Sequence, residues 1–107
     1  MDLEQLADAL KALADPTRLK MVSLLNIRDC CICELVPLFG ISQPAVSKHM
    51  SRLKTAGLVH ETRKGMWVFY ALDKERLAGI GLSLAHLPDM SGELRRLERQ
   101  GLLVQCL

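Results

Sequence analysis

"CICELVPLFGISQPAVSKHMSRLKTAG", residues 31–57, decides the fold. Its first part places Ile32, Leu35, Val36 and Phe39 at the i, i+3, i+4, i+7 spacing of one apolar helix face. Gly40 closes that short helix, because glycine takes positive φ without steric cost. Ser42 is placed to cap a second helix, Val46, Met50 and Leu53 form its inward side, and Gly57 ends it. Two short helices joined by so tight a connection, with Gly40 in the joint, read as a helix-turn-helix.

Beyond Gly57 the period changes. "LVHETR" (58–63) and "MWVFYAL" (66–72) are rich in β-branched and aromatic residues, and Lys64-Gly65 between them supplies a turn. A hairpin directly after the second helix makes the unit a winged helix. Upstream, Leu3, Leu6, Leu10 and Leu13 lie at helical spacing. Asp15 and Pro16 then read as the N-cap and first residue of a helix whose apolar side is Leu19, Val22 and Leu25. Downstream, Asp73 caps a helix over 74–87, weakened by Gly79 and Gly81 and broken by Pro88. A last helix is expected from about Ser91 to Gln100, followed by the tail "LLVQCL" (102–107), too apolar to remain in water and expected to be buried, in part against a second subunit. The fold class is therefore mainly α with a β-hairpin, a single winged helix-turn-helix DNA-binding domain over residues 1–107.

Size and composition agree. A chain of 107 residues that is 50% hydrophobic can bury one core, and one this short gains from oligomerisation. No basic segment followed by an apolar one marks a signal peptide, and no apolar run reaches the roughly 20 residues of a membrane span. A cytoplasmic protein with no membrane partner is expected. The net charge of +2 is unevenly spread: Lys48, Arg52, Lys54, Arg63 and Lys64 face one acid, Glu61, so residues 41–65 carry +4 and the remainder −2. A basic stripe on a near-neutral chain points to phosphate, though a solvated helix face explains such charge as well.

In a winged helix the second helix enters the major groove, with its N-terminal half nearest the bases. Outside the Val46–Met50–Leu53 stripe, the candidate contacts to double-stranded DNA are Ser42, Gln43, Ser47, Lys48, His49, Ser51, Arg52 and Lys54, with Arg63 and Lys64 at the hairpin tip. Gln43 can pair bidentately with adenine and Ser47 can bond to several base edges. Lys48, Arg52 and Lys54 suit phosphates, which position the protein without reading sequence. His49 borders the apolar stripe and reads more naturally as a packed histidine, as do His60 and His86.

Three of the four cysteines, Cys30, Cys31 and Cys33, fall within four positions. A structural disulfide between neighbours such as Cys30 and Cys31 would be strained. A soft-metal or metalloid site, a redox switch, and a set of small buried residues remain open. On a regular helix Cys30 and Cys33 share a face whereas Cys31 and Cys33 point nearly opposite ways, so all three would converge on one atom only if the helix distorted. Pro37 eases distortion, since it offers no N–H to the carbonyl of Cys33.

"LADPTRLKMVSLL" (13–25), "ICELVPLFGISQPAVSKHMSRLKTAGLV" (32–59) and "RKGMWVFYAL" (63–72) together resemble the ArsR/SmtB family of bacterial metal-sensing repressors, over roughly Leu6 to Leu72. The resemblance implies a homodimer, joined through its first and last helices, that binds operator DNA and leaves it when inducer binds. The arsenic-sensing branch carries Cys-x-Cys before Asp-Leu, and Cys31-Ile32-Cys33-Glu34-Leu35 occupies that motif here. The branch often has a further cysteine three residues on, where this chain has Val36. Cys30 or Cys106 is then the candidate third ligand. Trivalent arsenic or antimony, with no organic cofactor, is the inducer so implied, because three thiolates suffice for it whereas structural zinc usually takes four ligands. The zinc branch's paired Asp/His ligands are not matched by His86 and Asp89 alone, and the N-terminal thiols of cadmium and lead sensors are lacking. The expected mechanism is inducer-driven bending at the start of the cysteine-bearing helix, which misplaces the recognition helix.

The alternatives are a repressor of the same fold answering to thiol oxidation or to cadmium, lead or zinc, and a small thiol oxidoreductase. Cys30 and Cys33 have Cys-x-x-Cys spacing, but the βαβ context of that chemistry is missing, and no Ser/His/Asp set or phosphate loop is present. The chain does not read as an enzyme.

Overall fold

The computed structural model describes residues 1–82 and 87–104. Helix α1 (Leu3–Leu13) is capped by Asp2, whose side chain accepts the Gln5 N–H while Gln5 returns a bond to the Asp2 N–H. Helix α2 (Pro16–Leu25) starts at Asp15, which accepts the Arg18 N–H at 3.0 Å; that bond holds the Asp15 carboxyl below its usual pKa. A two-residue strand β1 (Cys30–Cys31) leads into α3 (Ile32–Phe39). Gly40, at φ 64°, closes α3, and Ser42 caps α4 (Gln43–Thr55) by accepting the Ala45 N–H. Strands β2 (Val59–Lys64) and β3 (Trp67–Leu72) follow, then α5 (Lys74–Gly79) and α6 (Ser91–Arg99).

The helix-turn-helix and hairpin stand as the sequence implies. Val46, Met50 and Leu53 are wholly buried, and Leu35 and Leu38 of α3 pack into the same core. Strands β2 and β3 pair antiparallel from Val59↔Leu72 to Lys64↔Trp67, so the two-residue turn is Gly65-Met66, one residue beyond the expected Lys64-Gly65. Gly65 has φ 62° and Met66 is not in the left-handed region, as expected of a hairpin turn with glycine first.

Three expectations need correction, and the apolar side of α1 divides between core and surface. Cys30 and Cys31 do not begin a helix: they pair with β3 as a third antiparallel strand, Cys30↔Tyr70 and Cys31↔Phe69. Leu19 of α2 is exposed, and the whole run Met21–Leu25 is buried instead of one stripe. The helix expected over 74–87 ends at Gly79; residues 83–86, His86 among them, lie outside the described residues. In α1 the core residues are Ala9, Ala12 and Leu13, while Leu3 and Leu10 are 86% and 52% exposed.

Helix α6 packs on α3 through Leu94 and Leu97, and Lys20 of α2 reaches its Glu93 at 3.0 Å. The chain then returns past α3, with Leu103 and Val104 half-buried.

Candidate functional site

Two features stand side by side: a basic face on α4 and the wing, and a pair of thiols behind it. On the basic face Gln43, Lys48, Ser51 and Arg52 are exposed and Ser47 is half-buried. The Ser42 hydroxyl is engaged as the α4 cap. Lys54 is committed to Glu61 of β2 at 2.8 Å, which raises the lysine pKa and lowers that of the acid. That pair ties the end of α4 to the wing. His49 is half-buried with Nδ1 3.2 Å from Nη1 of Arg18, in keeping with a packed histidine. Arg63 is exposed on β2, and Lys64 lies over the Phe69 ring at 5.4 Å. His60 is engaged with Asp73 at 2.8 Å.

Arg18 belongs to this face, although nothing in the sequence singles it out. With Ala45, Lys48, His49 and Arg52 it lines an open cleft of about 410 Å³. Its guanidinium also donates to the carbonyls of Ala12 (2.7 Å) and Lys11 (3.5 Å) at the C-terminal end of α1. Arg18 thus locks α1, α2 and α4 together at the basic cleft.

The thiol pair is Cys31 and Cys33. Cys31 is the N-cap of α3 with extended backbone (φ −86°, ψ 152°), and Cys33 sits in the first turn. The change from strand to helix between them turns their side chains together, and the Cys33 thiol donates to the Cys31 sulfur at 2.8 Å. The expectation that these two point nearly opposite ways is therefore overturned. Cys30 is not brought to them. Alternation along β1 sends it to the opposite side, where it is wholly buried in the core and its thiol donates to the Arg28 carbonyl at 3.5 Å. Cys106 lies outside the described residues. Among the described residues no group of three or more His, Cys, Asp or Glu side chains is arranged to hold a metal ion.

The surroundings of Cys33 and of Cys30 favour the protonated thiol. Burial, the bond to Cys31 and the nearby Glu34 carboxylate push the Cys33 thiol up to about 12. Burial, with Glu34 next in weight, does the same to Cys30. Glu34 itself is buried without exposure. Its Oε1 accepts the Cys31 N–H at 2.8 Å, fixing the turn that carries both thiols.

Cys31 and Cys33 open onto a cleft of about 410 Å³ whose other walls are Ile32, Val36, Gln43, Met66, Trp67 and Val68. Gln43 is the first residue of α4; Met66 and Trp67 belong to the wing turn and the start of β3. The thiols thus face a space bounded by the start of α4 and by the wing. Sequence alone singles out neither Met66 nor Trp67, since it places them only at the start of the second hairpin strand.

The family model for bacterial regulatory proteins of the arsR family matches residues 15–61. An arsenical resistance operon repressor from Staphylococcus xylosus is 37% identical over 84 residues, covering 78% of this chain and 81% of that protein. The arsenic resistance transcriptional regulator ArsR1 of Pseudomonas putida is 42% identical over 66 residues, 61% of this chain; the match spans only about half, 52%, of that relative's length. Among solved structures, HlyU from Vibrio cholerae superposes with a TM-score of 0.65 at 31% identity, over 76% of this chain and 91% of its own. An ArsR-like transcriptional regulator from Rhodococcus gives 0.65 at 26% identity, over 92% and 80%.

Proposed function

The chain belongs to the arsR family of bacterial regulatory proteins, DNA-binding transcriptional regulators and not enzymes, and from that premise we propose that it is a homodimeric repressor released from operator DNA when a trivalent arsenic or antimony species bonds to Cys31 and Cys33. The single observation that carries this reading is the 2.8 Å approach of the two sulfurs at the mouth of a cleft that also holds Gln43 and Trp67. One atom can bridge the pair without unwinding α3. Its occupancy then bears on the start of the recognition helix and on the wing together. Coupling of about 1–3 kcal/mol between inducer and DNA is ordinary for such a device, and it is reciprocal.

Thiol protonation favours this inducer over a divalent cation. A cation must displace a proton from each thiol, and a thiol pushed up to about 12 resists that at neutral pH. A trivalent arsenic hydroxide carries away each thiol proton as water. Homologues named for arsenic resistance point the same way. The Leu3 and Leu10 side of α1, exposed on the protomer, supplies an apolar surface for the dimer. No helix among the described residues is long and apolar enough to cross a membrane.

The same sulfur pair supports a second reading, a switch operated by oxidation. Attack on an oxidant requires thiolate, and the raised Cys33 pKa leaves little of it. The experiment that separates the two is a titration of labelled operator DNA with arsenite under reducing conditions, beside a titration with peroxide. Release by arsenite alone supports the metalloid reading; release by peroxide alone replaces it with the redox one.

A further inference from the structure

Arsenic(III) has three valences, and the described site offers two sulfurs. Position 36, three residues after Cys33, lines the same cleft, but its side chain is that of valine. Cys30 is turned into the core on the other side of β1. What surrounds the pair instead is apolar: Ile32, Val36, Met66, Trp67 and Val68, with Gln43 as the polar wall. Met66 is 85% exposed and Trp67 39%, a large thioether and an aromatic ring left beside two thiols. A cleft of about 410 Å³ has room for a ring-sized substituent as well as the arsenic atom.

We propose that the Cys31–Cys33 cleft is built for a monosubstituted organoarsenical, R–As(OH)2, with the two thiols holding arsenic and the apolar group R seated against Val36, Met66, Trp67 and Val68. This rests on the metalloid reading above and names its ligand. In the binding step two As–O bonds break and two As–S bonds form. Each thiol proton leaves with a hydroxyl group, so two waters are released. The As–C bond is untouched and arsenic stays trivalent, so no oxidant or reductant is needed. The third valence is filled by carbon, and no third thiol is required. Inorganic arsenite on the same pair would leave a hydroxyl group facing an apolar wall, which is unfavourable unless that group finds a hydrogen bond.

Calorimetry of the reduced protein with phenylarsine oxide, which hydrates to the dihydroxy form, and with arsenite tests this directly. Phenylarsine oxide is expected to bind one per protomer and about tenfold or more tighter than arsenite, through the apolar surface its ring buries. It is also expected to perturb the emission of Trp67, the chain's single tryptophan. The decisive variant is Val36→Cys. By supplying a third thiol in the cleft it should raise arsenite affinity and close most of the gap. Arsenite binding as tightly as phenylarsine oxide in the native chain, with that affinity lost in Cys30→Ser or Cys106→Ser, overturns the proposal in favour of a three-thiol inorganic site. If arsenite releases operator while phenylarsine oxide does not bind, the organoarsenical assignment fails and the repressor reading stands. Failure of both compounds to bind or release operator removes both.

Discussion

The carboxylate of Glu34 accepts the backbone N–H of Val104 at 2.6 Å, across 70 residues of chain. The same oxygen takes Arg28 Nη2 at 3.2 Å, and the other holds the Cys31 N–H. One buried side chain therefore joins the thiol-bearing turn, the loop before β1 and the segment after α6. A buried carboxylate with three donors is well satisfied; removing its second acceptor oxygen leaves donors stranded.

Glu34→Gln keeps the shape but replaces one oxygen with a donor. Against Val104 N–H and Arg28 it can no longer accept with both atoms, and the expected loss is about 1–3 kcal/mol in urea unfolding. Because Cys31 loses part of its support, arsenical affinity should fall as well, while operator binding without inducer changes little. An unfolding midpoint equal to that of the native chain would show that the network carries no stability.

How much of this could be read in advance depends on whether the determining contacts were local. The core face of α4 was legible because Val46, Met50 and Leu53 follow the helical period inside one capped segment. The motif Cys31-Ile32-Cys33 was legible through the family resemblance, but the meeting of its two sulfurs was not, since what makes Cys30 and Cys31 a strand is pairing to Tyr70 and Phe69 some forty residues away, and strand formation depends on such context. Reading "CCIC" with a helical period then put the wrong sulfurs together. The α1 leucines show a related limit: periodicity identified the apolar side, but the alanines Ala9 and Ala12 are what the protomer buries, because close helix contact selects small side chains there. Arg18 was invisible for a simpler reason. Its partners on α1 and α4 are tertiary, and nothing in "DPTR" announces them.

The cysteines should separate into two classes. Cys31→Ser and Cys33→Ser are expected to bind operator as the native chain does and to ignore arsenicals, because each removes one of the two sulfurs that meet at 2.8 Å. Cys30→Ser places a hydroxyl in the core and should cost about 1–3 kcal/mol of stability, yet leave inducer release intact. A gel-shift titration paired with a urea curve for each variant reads both properties. Loss of arsenical response in Cys30→Ser at unchanged stability would count against the two-thiol site.

The pH dependence of binding distinguishes hydroxide-bearing arsenic from a cation. Cys33, pushed up to about 12, is protonated at and well above neutrality. Exchange with an arsenic hydroxide releases water and no net proton, so affinity should be flat from about pH 6 to about pH 8. A cadmium titration over the same window should strengthen as pH rises, because each thiol must give up its proton to the solvent. Arsenical affinity that falls as pH rises across this window would mean that binding takes up protons, and hence that Cys33 is already thiolate and far more acidic in the folded protein than its surroundings dictate.

Arg52 and Lys48 test the orientation of the basic face. Both are exposed, both line the cleft beside Arg18, and neither has an acidic partner among the described residues. If the cleft meets the phosphate backbone, Arg52→Ala should weaken operator and non-specific DNA binding alike. It should also lower the slope of log affinity against log salt by about one for each phosphate that the variant no longer neutralises. Lys54→Ala should behave differently. Its ammonium is held by Glu61 at the far end of α4, so removing it frees an acid on the wing, and the effect on the slope should be smaller. Gln43→Ala, by contrast, is expected to relax discrimination at one base pair with little change in salt slope, since a base contact releases no counterion. Measuring the three slopes on one operator fragment and one scrambled fragment orders the side chains along α4. An Arg52→Ala slope identical to the native one would place this face away from DNA.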